Sequence, residues 1–434
     1  MPYSTDTRTI QPGDVYVAIR GETHDGHRFV PDAIDKGAAG VVVEEPVDAP
    51  DGVEVVVTPS SVDWLVERAS AKVRDLGCET VAITGSVGKT TARTAIASVL
   101  RQRRDVVAST GNLNTPLGLS LLLLNADLTP ETVLVLEMGA RLPGDIAELC
   151  RAFPPTVGVV TAVRGVHLET LESLDGVERE KSSIVRALPA TGTAVLNGDD
   201  ERTRRMADVT PATAVLYGTS DGCDVTPADL TADLPILGDH AVYTAMLATA
   251  VGRALDLDGA AITRGLEAIE PEKGRLRKLA GVGGSTLVDD TYNASPDAVL
   301  SALGVLAELP GGRRTAFLGD MLELGEAEIE EHVRVLEAAA RAADRVVAVG
   351  PLMAQATARL ADAGRQCVDV HATAAEAAEA VRVGTLGPFG AGDVLLVKGS
   401  QGTRMERVSE ALLSPDLDPA DVLPRQTPQW KAIP

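Results

Sequence analysis

The chain reads as an α/β protein of three domains built on largely parallel sheets. Three observations carry that reading. Short apolar runs alternate with helical patterns from Asp14 onward. The length of 434 residues exceeds what a single core ordinarily serves. An apolar run, Val81-Ala-Ile83, feeds a glycine loop that opens on Lys89-Thr-Thr91 and a helical pattern. That last joint is how a nucleotide-binding α/β domain begins.

The elements follow in order. A first unit has a strand over 14–19, a helix over 30–36, strands over 40–44 and 54–57, and a helix over 61–74. A second starts at Glu79 and carries the glycine loop, with further strands over 132–137, 157–161 and 193–197. A third starts near Arg277, with strands over 285–288, 314–318, 345–349 and 394–397. The charged, glycine-containing stretch 270–275 reads as the linker. The expected domains are therefore 1–77, 78–273 and 274–434. No internal repeat or low-complexity segment is evident.

Composition narrows the function classes. The chain is 45% hydrophobic and 24% charged, as expected for a soluble globular protein. No run of eighteen apolar residues occurs, so membrane insertion is not expected. The first residues, Met1-Pro-Tyr-Ser-Thr-Asp6, lack the apolar core of a signal peptide. Cys78, Cys150, Cys223 and Cys367 are scattered, which suits a reducing cytoplasm better than a disulfide framework. The formal charge of −22 argues against nucleic acid as a partner, because phosphate backbones are repelled. A salt-adapted surface and an ordinary acidic one explain that charge equally well.

The glycine loop is where chemistry concentrates. Gly85 and Gly88 let the backbone turn and bring N–H groups to an anion, with Ser86 between them. Lys89 reaches outer phosphates, Thr90 puts a hydroxyl on Mg²⁺, and Thr91 continues the helix start. The longest P-loop pattern would need glycine at 83, where Ile83 stands. A plain glycine turn is the alternative; the Lys-Thr pair argues against it. Glu137 ends an apolar strand, a position suited to Mg²⁺ or to orienting a water. His167, taken alone, reads as a structural hydrogen-bonder. Lys181 sits in a helical stretch, and its spacing alone favours a solvated face residue.

These residues carry a family resemblance. The chain resembles the Mur ligases, ATP-dependent enzymes that form amide bonds while building the peptidoglycan precursor. It is most similar to the MurF type, which joins D-alanyl-D-alanine to UDP-N-acetylmuramoyl-tripeptide. Besides the glycine loop, the carrying segments are Thr110-Gly-Asn-Leu-Asn-Thr-Pro-Leu-Gly118, Leu136-Glu-Met-Gly-Ala140, His167-Leu-Glu169 and Leu196-Asn-Gly-Asp-Asp200. Asp14-Val-Tyr-Val-Ala-Ile-Arg-Gly21, Asp25-Gly-His27 and Leu396-Val-Lys-Gly-Ser400 also fit. Asp290-Thr-Tyr-Asn-Ala-Ser-Pro296 and Leu318-Gly-Asp-Met-Leu-Glu-Leu-Gly325 are most specific to the type. The resemblance spans nearly the whole chain.

It implies a mechanism and a set of roles. The γ-phosphate of ATP activates a peptide carboxylate as an acyl phosphate, and an amine displaces the phosphate. Lys89 holds the β/γ-phosphates, and Thr90 and Glu137 hold one Mg²⁺. His167 helps hold a second Mg²⁺ with Lys181, which falls where the family carries a lysine carbamylated by CO₂. Arg275, Asp290 and Asn293 reach ATP or the acyl phosphate. Asn114, Lys398 and Ser400 lie on the substrate side, and Thr7, Arg8 and His27 in the UDP pocket. ATP is expected between the second and third domains, in a cytoplasmic monomer.

Three segments depart from the family pattern. Asp6-Thr-Arg8 stands almost first, where relatives usually have another strand–helix element, so a short UDP-binding domain is expected. Ala241 and Thr244 occupy positions that are often Asn in the family, the first of them contacting adenine. Ser182-Ser183 replaces the usual Gly-Glu after Lys181. The alternatives are another amide ligase of the superfamily with a different acceptor or amine, or an inactive nucleotide-binding relative.

Overall fold

The structure, a computed structural model, describes residues 1–433 apart from 22–23, 112, 166–167 and 363–367. It contains three sheets. The first has four parallel strands, β1 (Tyr3–Ser4), β2 (Val15–Val17), β3 (Gly40–Val43) and β4 (Glu54–Val57), paired in sequence order. The second has β5 (Glu79–Thr84), β6 (Val106–Ala108), β7 (Val133–Glu137), β8 (Val157–Val160), β9 (Thr193–Asn197) and β10 (Thr213–Tyr217). Their order is β10-β9-β8-β5-β7-β6, all parallel.

The third sheet has β11 (Arg277–Ala280), β12 (Thr286–Asp290), β13 (Arg314–Gly319), β14 (Arg345–Val349), β15 (Val368–His371) and β16 (Val394–Lys398). Their order is β11-β12-β16-β13-β14-β15, with β11 antiparallel to β12 and the rest parallel.

The interior strands are apolar runs because both of their faces are covered. All five residues of β7 are buried, and so are all five of β16. Leu134, Leu136 and Val160 enter one core of the second sheet together with Leu119, Leu149 and Ile184 from helices. Five strands went unmarked by the sequence pattern: β1, β6, β10, β11 and β15. Each is a sheet edge. β1 and β6 are only half-buried, and β11 alternates half-buried and exposed. An edge strand needs no continuous apolar run, so its signal is weak.

The chain divides into two compact units, Met1–Asp233 with Tyr243–Ile269, and Leu234–Val242 with the chain from Glu270 onward. The first two sheets share the first unit. Helix Ser61–Leu76 packs on helix Pro116–Asn125, and Lys72 Nζ donates to the carbonyls of Leu123, Leu124 and Ala126 at 2.9, 3.2 and 2.7 Å. A cation at a helix C-terminus satisfies carbonyls the helix leaves open. Asn125 also pairs with the backbone of Tyr3 at 2.7 and 2.8 Å, tying β1 to the same helix.

In the second sheet the chain leaves β5 toward β6 and β7, then crosses to β8 on its other side. This is a topological switch point, and ligands of open α/β sheets bind outside the strand ends there. Among the described residues no helix is long and apolar enough to cross a membrane.

Candidate functional site

The glycine loop fills the gap between β5 and the helix Lys89–Leu100. Gly85 has φ 152°, and a Cβ there would sit 1.9 Å from Thr161 Oγ1, so only glycine fits. Gly88 has φ 79° and precedes the helix, which has no side-chain cap. Its first N–H groups are therefore open to an anion. Ser86 fixes the loop from one side. Its N–H donates to Ala162 O at 2.9 Å, and its hydroxyl exchanges bonds with the Arg164 backbone at 3.0 and 2.9 Å. Lys89 Nζ folds back onto Gly85 O at 2.7 Å. Thr91, half-buried, follows in the first turn.

Glu137 meets this loop from the neighbouring strand, in register with Ile83. Thr90 Oγ1 donates to its Oε2 at 3.0 Å, and Asn114 Nδ2 to its Oε1 at 3.3 Å. Arg93 Nη1 lies 3.7 Å from Oε2, and both side chains are about 5% exposed. Sequence patterning does not single out Arg93. The available signal is its position four residues after Lys89, on the same helix face.

Lys181, on the helix Leu174–Arg186, is buried rather than solvated. Burial first, and the charge of Lys89 second, pull its pKa down to about 7, against a smaller opposing effect of Glu180. Glu180 itself accepts from Gly144 N and Ile146 N, both at 2.7 Å, at the start of helix Asp145–Ala152. Lys181 thus belongs to the interior near Lys89, which helical spacing did not reveal. His167 lies outside the described residues.

The second unit has its own cluster at strand ends. Asp290 and Lys398 are register partners on β12 and β16, with Nζ 2.6 Å from Oδ2 and side chains 8% and 3% exposed. Lys398 also donates to Asn293 O at 2.9 Å, and Leu276 N to Asp290 Oδ1 at 3.2 Å. Asn293 Oδ1 accepts from Ala294 N at 2.9 Å. Ser400 Oγ accepts from Leu322 N at 2.9 Å and donates to Ala294 O at 3.3 Å. The Arg275 guanidinium stacks 4.1 Å from the Tyr292 ring centre. Arg275, Asp290, Asn293, Lys398 and Ser400 are thereby gathered into one neighbourhood.

The N-terminal candidates are tied into the first sheet's surroundings. Thr7 is buried, and its carbonyl accepts from Lys36 Nζ at 2.9 Å. Arg8 is exposed and forms a fork with Asp6, the shortest contact being 2.6 Å. His27 Nε2 accepts from Glu44 N at 2.9 Å, so Nδ1 carries the proton toward Asp25 Oδ1 at 2.7 Å.

A glycine loop on the central strand of a parallel sheet, with a threonine hydroxyl on a strand-end carboxylate, defines a P-loop nucleotide-binding α/β protein. Residues 3–81 match the Mur ligase family catalytic domain, 83–252 the Mur ligase middle domain, and 274–401 the Mur ligase glutamate ligase domain. The chain belongs to the Mur ligase family.

Among its relatives is the UDP-N-acetylmuramoyl-tripeptide–D-alanyl-D-alanine ligase of Escherichia coli K12. It is 32% identical over 437 residues, covering 94% of this chain and 93% of that protein. The Mycobacterium tuberculosis H37Rv protein of the same name is 31% identical over 95% and 92%. A crystal structure of MurF from Acinetobacter baumannii matches with TM-score 0.85 at 28% identity, covering 94% and 92%. The MurF ligase of Thermotoga maritima in complex with ADP matches with TM-score 0.79 at 26% identity, covering 94% and 96%.

Proposed function

We propose that the chain is an ATP-dependent, ADP-forming ligase that adds D-alanyl-D-alanine to UDP-N-acetylmuramoyl-tripeptide. One observation carries the reading furthest: relatives of that name match 94–95% of it at 31–32% identity. The local chemistry supports it. An amine cannot expel oxide from a carboxylate at neutral pH. Transfer of the γ-phosphoryl group forms a C–O–P acyl phosphate and releases ADP. The amine then forms the amide bond, and inorganic phosphate leaves with the carboxylate oxygen. The protein's task is to hold two anions together and spread their charge.

In this reading Gly85, Ser86, Gly88, Lys89 and Thr91 hold the triphosphate, with Lys89 on the β/γ oxygens. Mg²⁺, when bound, neutralises phosphate charge. Thr90 and Glu137 offer it oxygen ligands, which suit a hard cation. Among the described residues no group of three His, Cys, Asp or Glu forms a metal cage. A second Mg²⁺ falls to His167 and Lys181. Carbamylation suits Lys181 because a pKa of about 7 leaves much of its amine neutral at pH 7. The neutral amine forms an N–C bond with CO₂, one C–O π bond opens, and the nitrogen gives up one proton, so a carbamate anion replaces a neutral amine. Arg275, Asp290 and Asn293 serve ATP or the acyl phosphate; Asn114, Lys398 and Ser400 the peptide substrates; Thr7, Arg8 and His27 the UDP group.

The proposed setting is the cytoplasm, as a monomer. Cys78, Cys150 and Cys223 are all free thiols, which fits a reducing compartment. The test is phosphate release from ATP with each substrate omitted in turn. The expected result is turnover only with UDP-muramyl tripeptide, D-alanyl-D-alanine and Mg²⁺ together. Turnover with a different amine, and none with the dipeptide, would sink the assignment.

A further inference from the structure

Residues 291 and 292 follow the end of β12 with carbonyls needing donors. Arg425 provides them. Its Nη1 donates to Tyr292 O at 3.1 Å and its Nη2 to Thr291 O. The same Nη2 lies 2.9 Å from Glu406 Oε2. Glu406 holds a second arginine, with Arg404 Nε 2.6 Å from its Oε1. Arg404 then donates to Trp430 O at 2.7 Å and Ile433 O at 3.0 Å. The three charged side chains are 6%, 2% and 7% exposed.

This is an expensive way to hold a loop. Three buried charges lose their hydration, and an apolar cluster of the same volume would often stabilise as well or better. Arg404 and Arg425 also sit in the left-handed region, at φ 58° and 56°, a cost for residues other than glycine. What the guanidinium fork supplies that apolar packing cannot is direction: it fixes two successive carbonyls. The Tyr292 ring is flanked as well, with Arg275 at 4.1 Å and Arg425 at 6.0 Å. Neighbouring Asp289 is held by Ser409 at 2.7 Å and Thr291 at 2.9 Å. Successive strand residues point to opposite faces. The 404–425 segment therefore grips the loop on the Asp289 side, while Asp290 pairs with Lys398 on the other. Arg404, Glu406 and Arg425 all lie beyond the residues matched by the family's third domain.

We infer that Arg425, held by Glu406 and Arg404, is a positioning residue for the reaction. It sets the backbone at 291–292 and thereby the placement of Asp290 and Asn293. The inference rests on the ATP-facing role of those two residues proposed above. Arg425→Lys keeps a cation but loses the fork. Glu406→Gln keeps the shape and the hydrogen-bond acceptor but removes the charge that holds both arginines.

The experiment is steady-state kinetics on folded protein well below each variant's melting temperature. Either variant is expected to lower kcat/KM for ATP about 10-fold or more, since small misplacements of reacting groups are costly. KM for UDP-muramyl tripeptide should stay within about 2-fold, because the UDP pocket proposed in the first unit is untouched. In an Asn293→Ala background, Arg425→Lys should add less than about 2-fold, because both act through one loop. Wild-type kcat/KM per folded molecule in both single variants, with only a lowered melting temperature, overturns the inference. So does an undiminished effect in the Asn293→Ala background. If Asp290→Ala and Asn293→Ala themselves leave ATP kinetics unchanged, the ATP-facing reading of the loop fails, and this inference with it.

Discussion

Lys181 and Lys89 oppose each other's charge inside the first unit. Burial does most of the work on Lys181 and repulsion by Lys89 adds to it, bringing the buried amine to about 7. A lysine kept near neutrality is suited to reaction with CO₂. Lys181→Ala is therefore expected to be nearly inactive. Lys181→Arg should fail as well, because guanidinium stays cationic and forms no carbamate. Acetate or formate should partly restore the alanine variant. Rates at one Mg²⁺ concentration, with and without added carboxylate, check this; an arginine variant as active as wild type refutes the carbamate.

The same residue makes a stability prediction. Its folded pKa lies below that of the unfolded chain, so burial costs most where both states are protonated, below about pH 7. The cost fades as pH rises toward the ordinary lysine range. Lys181→Met should thus raise the melting temperature at pH 6–7 by about 2–8 °C, on a gain of about 1–2 kcal/mol. The advantage should shrink steadily by pH 9–10. Thermal melts across that range measure it, and a methionine variant less stable at pH 6 contradicts it.

Lys89→Ala should leave the fold intact, since the residue is the first of its helix and alanine is the best helix former. Loss of a charge on the transferring phosphate should lower kcat/KM by about 10²-fold or more. Removing its repulsion should also raise the pKa of Lys181, moving the acid limb of the pH–rate profile upward. Near-normal ligation by the folded variant would place the phosphate site elsewhere.

Asp289 offers a test in the second unit. Burial raises its carboxyl to about 6, against the pull of hydrogen bonds from Ser409 and Thr291. A raised carboxyl pKa favours the folded state below about pH 4, and that contribution is lost as pH rises through about 6. Asp289→Asn keeps an oxygen to accept both hydroxyls and never ionises. It should match wild type near pH 4 and exceed it by about 1–3 kcal/mol at pH 8. Urea unfolding at the two pH values decides; equal stability at pH 8 is the contrary result.

Much of the site is legible in local pattern. The glycines at 85 and 88, the lysine and threonine that follow, and Glu137 at a strand end each sit beside the element that explains them. The Thr90–Glu137 contact follows from two such readings in one parallel sheet. Of the edge strands only β4 was legible, through its valine run 55–57; β1, β6, β10, β11 and β15 were not, because an edge needs no continuous apolar run to recognise. Neither was the Arg404–Glu406–Arg425 cluster, whose charges look like surface residues until their partners are known.

The amino-acid sequence by itself determined the α/β class, the interior strands, the phosphate loop and the resemblance to the family. All of these are encoded over a few consecutive residues as apolar period, glycine placement and motif. Tertiary structure alone decided that Lys181 is buried near Lys89, that Asp290 and Lys398 pair across 108 positions of chain, and that Arg425 reaches back to residues 291 and 292. Burial and charge pairing depend on which distant segments the sheets bring side by side, and helical or strand periodicity carries no information about that.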